Sequence, residues 1–207
     1  MDLKSVGEQY RKDKLLESDV DPNPIFELQK WLKSAIEARE KYPNAVHLST
    51  TDSQGFPQGR VVLAKEISAS GVSFFTHYNS PKGREIAANS NVSLTFYWKE
   101  LDRQVRVRGV AKKLSRQENV EYFASRAKLS QVASSISNQS EPVKLADLEA
   151  EFARLSSSGP IECPKHWGGY RVEPIDFEFW QGRENRLNDR LFYERVDGDW
   201  KISRLAP

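Results

Sequence analysis

Five short stretches of this chain carry residue types that grip anions. In Thr76-His77-Tyr78-Asn79-Ser80-Pro81-Lys82-Gly83-Arg84, hydroxyls and cations stand where a strand should give way to a helix. The first turn of a helix offers unpaired N–H groups and a positive end, so the junction has the ingredients of a phosphate cradle. An ordinary solvated turn would look much the same. Tyr122 and Arg126 lie four apart, and so on one helix face, with Ser130 just beyond. A phenol, a guanidinium and a hydroxyl all donate to phosphate oxygens, although chance neighbours on a helix surface account for the trio as well.

The other three stretches are read as strands or as a loop leaving one. In Arg60-Val61-Val62-Leu63-Ala64-Lys65 a period of two puts Arg60, Val62 and Ala64 on one face and Val61, Leu63 and Lys65 on the other. Arg60 and Lys65 then reach toward an anion from different parts of a twisted strand, or simply extend to water from a sheet edge. Gln104, Arg106 and Arg108 share one face of a second strand, whose plain reading is a water-facing surface. Arg183, Arg186 and Arg190 crowd the loop that leaves Trp180, an arrangement suited to a planar anionic ligand.

Other chemistries lack their residues. His47, His77 and His166 have no paired metal spacing, Cys163 with His166 makes only half a zinc site, and no metal is expected. Nucleophile-elbow, Walker and dinucleotide-binding motifs are missing. Cys163 stands alone, so no internal disulfide can form; it reads as a structural thiol in a reducing compartment.

The elements that must position these groups follow from composition and period. The chain has 207 residues, 38% of them hydrophobic and 29% charged, enough for a core without staples. Its 31 Lys and Arg against 29 Asp and Glu leave a net charge of +2, too balanced for a general nucleic-acid binder. No apolar run approaches the ~20 residues of a membrane span, and Met1 to Leu16 lack an apolar signal core, so a cytoplasmic protein is expected.

Residues 1–20 read as a mobile polar arm and 21–207 as one domain. Asn23 and Pro24 open a helix whose apolar positions run from Ile25 to Ile36 before Pro43. Strands are expected at Ala45–Thr51, Gln58–Ile67, Val72–His77, Val92–Lys99 and Arg103–Leu114. Helices follow at Lys82–Asn89, after the capping-box pattern Ser115-Arg-Gln-Glu118, and at Lys144–Leu155. Tyr170–Trp180, Leu191–Val196 and Trp200–Arg204 return to strand, the last two joined by an Asp197-Gly198 turn. Many short strands with a few peripheral helices predict a mainly β protein built on a barrel.

From about Pro24 to Pro207 the chain resembles the pyridoxine (pyridoxamine) 5'-phosphate oxidase family. The matching motifs are Arg60-Val-Val-Leu-Ala-Lys65, Phe74-Phe75-Thr76, Arg103-Gln104-Val105, Tyr122-Phe-Ala-Ser-Arg126, Ser137-Asn-Gln139-Ser140, His166-Trp-Gly-Gly-Tyr-Arg171, Phe179-Trp-Gln-Gly182, Arg186-Leu-Asn-Asp-Arg190 and Trp200-Lys-Ile-Ser-Arg-Leu-Ala-Pro207. The resemblance implies a split β-barrel homodimer with FMN in a cleft between subunits. It implies FMN contacts from Arg60, Val61, Val62, Leu63, Ala64, Lys65, Phe75, Thr76, Lys82, Gln104, Gln139, Ser140, Trp180 and Arg190. Lys65, Tyr122, Arg126 and Ser130 would hold the substrate phosphate, while Arg186, Leu187 and Asn188 would lie at the pyridine ring, with Arg186 and Asn188 catalytic. The implied reaction moves a hydride from C4' of pyridoxine or pyridoxamine 5'-phosphate to the flavin. Dioxygen then takes the electrons and becomes hydrogen peroxide.

Three positions depart from the family pattern. Asn188 stands where the family usually has His, and an amide carries no proton or charge. Pro81 replaces a basic residue before Lys82, with Arg84 as the nearby cation that could compensate. Gly7 precedes Tyr10 where the family tends to have Arg. An active oxidase, slower or weaker in binding, is therefore expected. The competing reading is a non-catalytic pyridoxal-phosphate or flavin-binding protein on the same scaffold.

Overall fold

The computed structural model describes residues 14–207. Helix α1 (Pro24–Glu37) begins as its sequence dictates: the Asn23 side chain accepts from the Ile25 N–H at 3.0 Å, and Pro24 occupies a position whose N–H would be unpaired. Strands β1 (Ala45–Thr51), β2 (Pro57–Ser68) and β3 (Gly71–His77) follow. After α2 (Pro81–Ala88) come β4 (Asn91–Trp98) and β5 (Arg103–Lys113). Three helices intervene: α3 (Arg116–Ser125), α4 (Lys128–Ile136) and α5 (Leu145–Ser156). The chain then ends in β6 (Trp167–Gln181), β7 (Asp189–Val196) and β8 (Asp199–Arg204).

All eight strands form one antiparallel sheet in the order β3-β2-β1-β4-β5-β6-β7-β8, and β3 also pairs with β6. The first six therefore close into a barrel. Closure rests on β6 serving two neighbours: Trp167–Val172 pair with β3, and Asp176–Gln181 pair with β7. The strand changes partner near Pro174, opposite Gly109, where the β5–β6 register shifts. Pro has no N–H to give a ladder, and a Cβ on Gly109 would stand 2.3 Å from the Glu173 carbonyl oxygen. Both residues suit the break.

Alternate strand residues fill the barrel. Val46, Leu48, Leu94, Phe96, Val105, Val107, Phe177 and Phe179 are buried, each contributing roughly 1.5–3 kcal/mol of transfer free energy for the larger side chains. Trp31 of α1 packs edge-on to Phe179 at 5.1 Å between ring centroids. Asp197 and Gly198 both take positive φ, 52° and 94°, as a tight β7–β8 hairpin requires.

The end of the expected arm lies against this core. Leu15 and Val20 join the main apolar cluster, and the Leu15 N–H donates to Asp189 at 3.0 Å. Arg204 donates to the Leu15 carbonyl and to Glu17, both at 2.7 Å. The rest of that arm, with Gly7 and Tyr10, lies outside the described residues. Helix α4, which the sequence reading did not anticipate, is separated from α3 by only Arg126 and Ala127.

Candidate functional site

The junction of β3 and α2 gathers several of the expected residues. Ser80 caps α2: its hydroxyl accepts from the Gly83 N–H and donates to the His77 carbonyl at 2.7 Å. That cap leaves the buried Lys82 in the first turn, pointing where β3 ends. Its ammonium donates to the Gln139 side-chain oxygen at 2.9 Å and to Ser80 at 3.3 Å. The Thr76 hydroxyl donates to the same Gln139 oxygen at 3.1 Å. Gln139 thus arrives from the loop after α4, with Ser140 beside it in the left-handed region at φ 72°.

Arg60 stands behind this group. It donates to Thr50 and pairs with Glu85 at 2.9 Å, both side chains largely buried. Burial holds the Lys82 ammonium below the usual lysine range; the Arg60 charge adds to the effect, and Glu85 opposes it. One carboxylate thus answers two cations, a surplus that suits an incoming anion. Arg84 donates to the Asn79 carbonyl at 2.6 Å and faces Glu141 at 3.8 Å.

A second group lies beside the last residues of β3. Phe75, Tyr122 and Trp167 present near-parallel rings, with Phe75 3.9 Å from Tyr122 and 5.3 Å from Trp167 between centroids. Arg126 follows the last residue of α3, its guanidinium 5.0 Å from the Trp167 ring, and donates to Ser134 at 2.7 Å. Ser130, the serine the sequence singled out, sits one turn earlier on the same side of α4. Sequence reasoning missed Ser134 and Trp167. Each had a signal, Ser134 in its four-residue offset from Ser130 and Trp167 in its place inside the His166–Arg171 motif.

Between the two groups lie two stacked imidazoles, His77 and His166, 5.2 Å apart. Burial pushes the His77 pKa down to about 4, reinforced by His166, Lys82 and Arg126. His77 is therefore neutral at pH 7. Cys163 is buried, and that burial raises its thiol pKa; Arg116 donates to its sulfur at 3.2 Å. A protonated, enclosed thiol is a poor nucleophile.

The remaining expected residues sit elsewhere. Gln104, Trp180 and Arg190 lie side by side across β5, β6 and β7. Arg190 donates to Glu178 at 2.8 Å and to the Ala206 carbonyl at 2.8 Å. Arg106 also meets Glu178, at 2.6 Å, while Arg108 grips Asp176 with two nitrogens. Glu178 and Asp176 are buried, and the cation row, open to water at Arg106 and Arg108, is also an ion-paired ladder. It offers little spare charge to a polyanion.

In the loop after Trp180, Asn185 and Arg186 take positive φ, 56° and 60°. The Asn188 side chain accepts from the Arg183 N–H at 3.0 Å, closing that loop, and Arg183 faces Asp189 at 3.4 Å. Arg186 and Leu187 are exposed. On the outer face of β2, Val61 and Leu63 are 66% and 41% exposed, while Val62 and Ala64 turn inward. Lys65 shares the outer face and makes no ion pair among the described residues. Phe75 pairs with Gly169, and Trp180 lies eleven residues farther along β6. That is about 35 Å of extended chain.

Comparison with known proteins identifies the family. Residues 32–155 match the family described as "Pyridoxamine 5'-phosphate oxidase", and residues 167–207 match the "Pyridoxine 5'-phosphate oxidase C-terminal dimerisation region". The pyridoxine/pyridoxamine 5'-phosphate oxidase of Alcanivorax borkumensis is 46% identical over 209 residues, covering 99% of this chain and 100% of that one. The enzyme of the same name from Vibrio cholerae is 42% identical, with full coverage of both chains at 100%. Among solved structures, PhzG from Burkholderia lata 383, in complex with tetrahydrophenazine-1-carboxylic acid, superposes with a TM-score of 0.90. It is 37% identical and covers 94% of this chain and 98% of that one. With its barrel, its dimerisation region and relatives matched over their whole length, this chain belongs to the pyridoxine/pyridoxamine 5'-phosphate oxidase family.

Proposed function

We propose that the protein is an FMN-dependent oxidase that converts pyridoxine or pyridoxamine 5'-phosphate to pyridoxal 5'-phosphate, with O2 reduced to H2O2. The observation that carries this reading is the pair of donor groups flanking His77. Thr76, Lys82 and Gln139 converge on one side, and Arg126 with Ser134 stands on the other. Two phosphates, one from the cofactor and one from the substrate, need two such grips.

The residues present fit FMN. Lys82, Thr76 and Ser80 at a helix start, beside Arg60, form a donor set for a phosphate dianion. Gln139 and Ser140 would complete it. When bound, FMN supplies the two-electron acceptor that no side chain of this protein provides. Arg126, Tyr122, Ser130 and Lys65 would hold the substrate phosphate and so fix the position of C4'. Arg186, Leu187 and Asn188 would cover the pyridine ring and exclude water, with Asn188 holding the loop in shape.

The far group of Gln104, Trp180 and Arg190 lies too far along β6 to close on the same small molecule within one chain. We assign it to the site of a second copy. A homodimer would cover the exposed Val61 and Leu63 and bring each chain's rim against the other's cradle. Residues 21–207 would act as one flavin-binding domain, working in the cytoplasm without nucleic acid or membrane.

The likeness to PhzG supports a second reading, in which the acceptor chemistry is applied to a reduced phenazine carboxylate. A carrier that binds pyridoxal phosphate or flavin without turnover is the third. One experiment separates them. The purified protein should be yellow, bleach with pyridoxine 5'-phosphate under anaerobic conditions, and release peroxide and aldehyde in air. Bleaching only by a reduced phenazine would favour the second reading, and binding without bleaching the third. A colourless protein that refuses added FMN would end all three.

A further inference from the structure

Trp167, at the start of β6, is not among the residues assigned above to cofactor or substrate, yet it packs against three of them. Its indole is 3% exposed and faces three neighbours at once. The Arg126 guanidinium lies 5.0 Å from the ring centroid, and Tyr122 and Phe75 lie near-parallel to the ring, tilted by 6° and 18°. Phe123 meets it edge-on at 5.1 Å. Trp167 cannot shift to accommodate a moving partner, because its strand pairs residue by residue with β3 and its own N–H donates to the Pro164 carbonyl.

Arg126 needs such a support. It follows the last helical residue of α3, in extended backbone at ψ 150°, so no helix holds its direction. Among the described residues only one of its five N–H groups is engaged, by Ser134. Burial also lowers its affinity for the proton, so the charge is kept there against a desolvation cost that a π face partly offsets. A single hydrogen bond leaves a guanidinium free to swing about that contact. The indole face, 5.0 Å from the guanidinium, gives it a second contact that limits this freedom.

We infer that Trp167 is a positioning residue that holds Arg126 and Tyr122 as one phosphate grip and thereby gives the enzyme its preference for phosphorylated substrates. This rests on the oxidase reading above. The same platform carries Phe75, which ties the grip to the end of β3 and hence to the cofactor cradle.

The test compares flavin-loaded wild type, Trp167→Phe and Trp167→Leu on pyridoxine 5'-phosphate and on unphosphorylated pyridoxine. Leu keeps bulk but has no π face; Phe keeps a smaller one. With Leu, the KM for the phosphorylated substrate should rise about tenfold, and with Phe about threefold, while kcat changes less than twofold. The kcat/KM for unphosphorylated pyridoxine should stay within twofold in both. If both substrates lose equally, or neither KM moves, Trp167 is only a core residue. Should the Leu variant not fold, the Phe variant alone decides by the same criterion. A wild type with no preference for the phosphate would instead defeat the oxidase reading itself.

Discussion

Lys82→Met separates the two effects of a buried cation. In the protein without flavin, Lys82 is held in a largely buried site beside Arg60, and both burial and that neighbour disfavour its charge. Methionine nearly matches its shape and has no charge to desolvate. The Gln139 oxygen loses one donor but keeps the Thr76 hydroxyl at 3.1 Å, so no buried acceptor is orphaned. The Arg60–Glu85 pair at 2.9 Å is untouched. Thermal stability of the flavin-free variant should therefore equal or exceed that of wild type.

Flavin binding should move the opposite way. A charge-assisted hydrogen bond to a phosphate oxygen contributes roughly 1.5–3 kcal/mol, which is about ten- to a hundredfold in Kd. Titration of flavin-free protein, followed by quenching of flavin fluorescence, gives the affinity directly. The same titration with riboflavin, which has no phosphate, supplies the control. The variant should lose most of the preference for FMN over riboflavin while its riboflavin affinity stays unchanged. An FMN affinity within twofold of wild type would refute the placement of the phosphate at Lys82. So would an equal loss for both flavins.

Three further outcomes follow from the geometry. Asn119→Ala should lower the melting temperature by on the order of 5–10 °C, because it strips the buried Gly169 N–H of its 2.8 Å acceptor and Tyr78 of a donor at 3.0 Å; circular dichroism melts check it. His77 binds its proton near pH 4 when folded and near 6.5 when unfolded, so its stabilising effect is complete above 6.5 and is lost as pH falls toward 4. Wild type should then lose more melting temperature than His77→Asn between pH 7.5 and 5, and equal losses would show that His77 is not held neutral. Asn188→Ala removes the acceptor that closes the Arg183–Asn188 loop and should cut kcat/KM about three- to tenfold. An amide does not titrate, so the variant's pH–rate profile should keep its wild-type shape.

Much of this molecule was legible because its strands obey a period of two and its helices announce their starts. Asn23, Ser80 and Ser115 each cap a helix where the sequence placed one, and Ser115 with Glu118 forms the full reciprocal cap. Ala45–Thr51 is a strand to the residue. Helix α4 was missed although Leu129, Val132, Ala133 and Ile136 keep a helical spacing, because Ala127 gives it no side-chain cap to mark its start. The β5 cations do face water, but their ion pairing stayed hidden for a different reason. Alternation tells which residues share a face but not what faces them, and only the β5–β6 register sets Arg106 against Glu178 and Arg108 against Asp176. The same limit hid the His77–His166 stack, which β3–β6 pairing creates from residues far apart in the chain.

Having β6 close the barrel also sets a schedule for synthesis. β3 leaves the ribosome with one edge unpaired, and the segment that seals it, Trp167–Val172, emerges roughly ninety residues later. At typical elongation rates that leaves a naked strand edge for roughly 5–20 s. During that interval the nascent chain presents an open template to other chains, and a chaperone's shelter would matter most there.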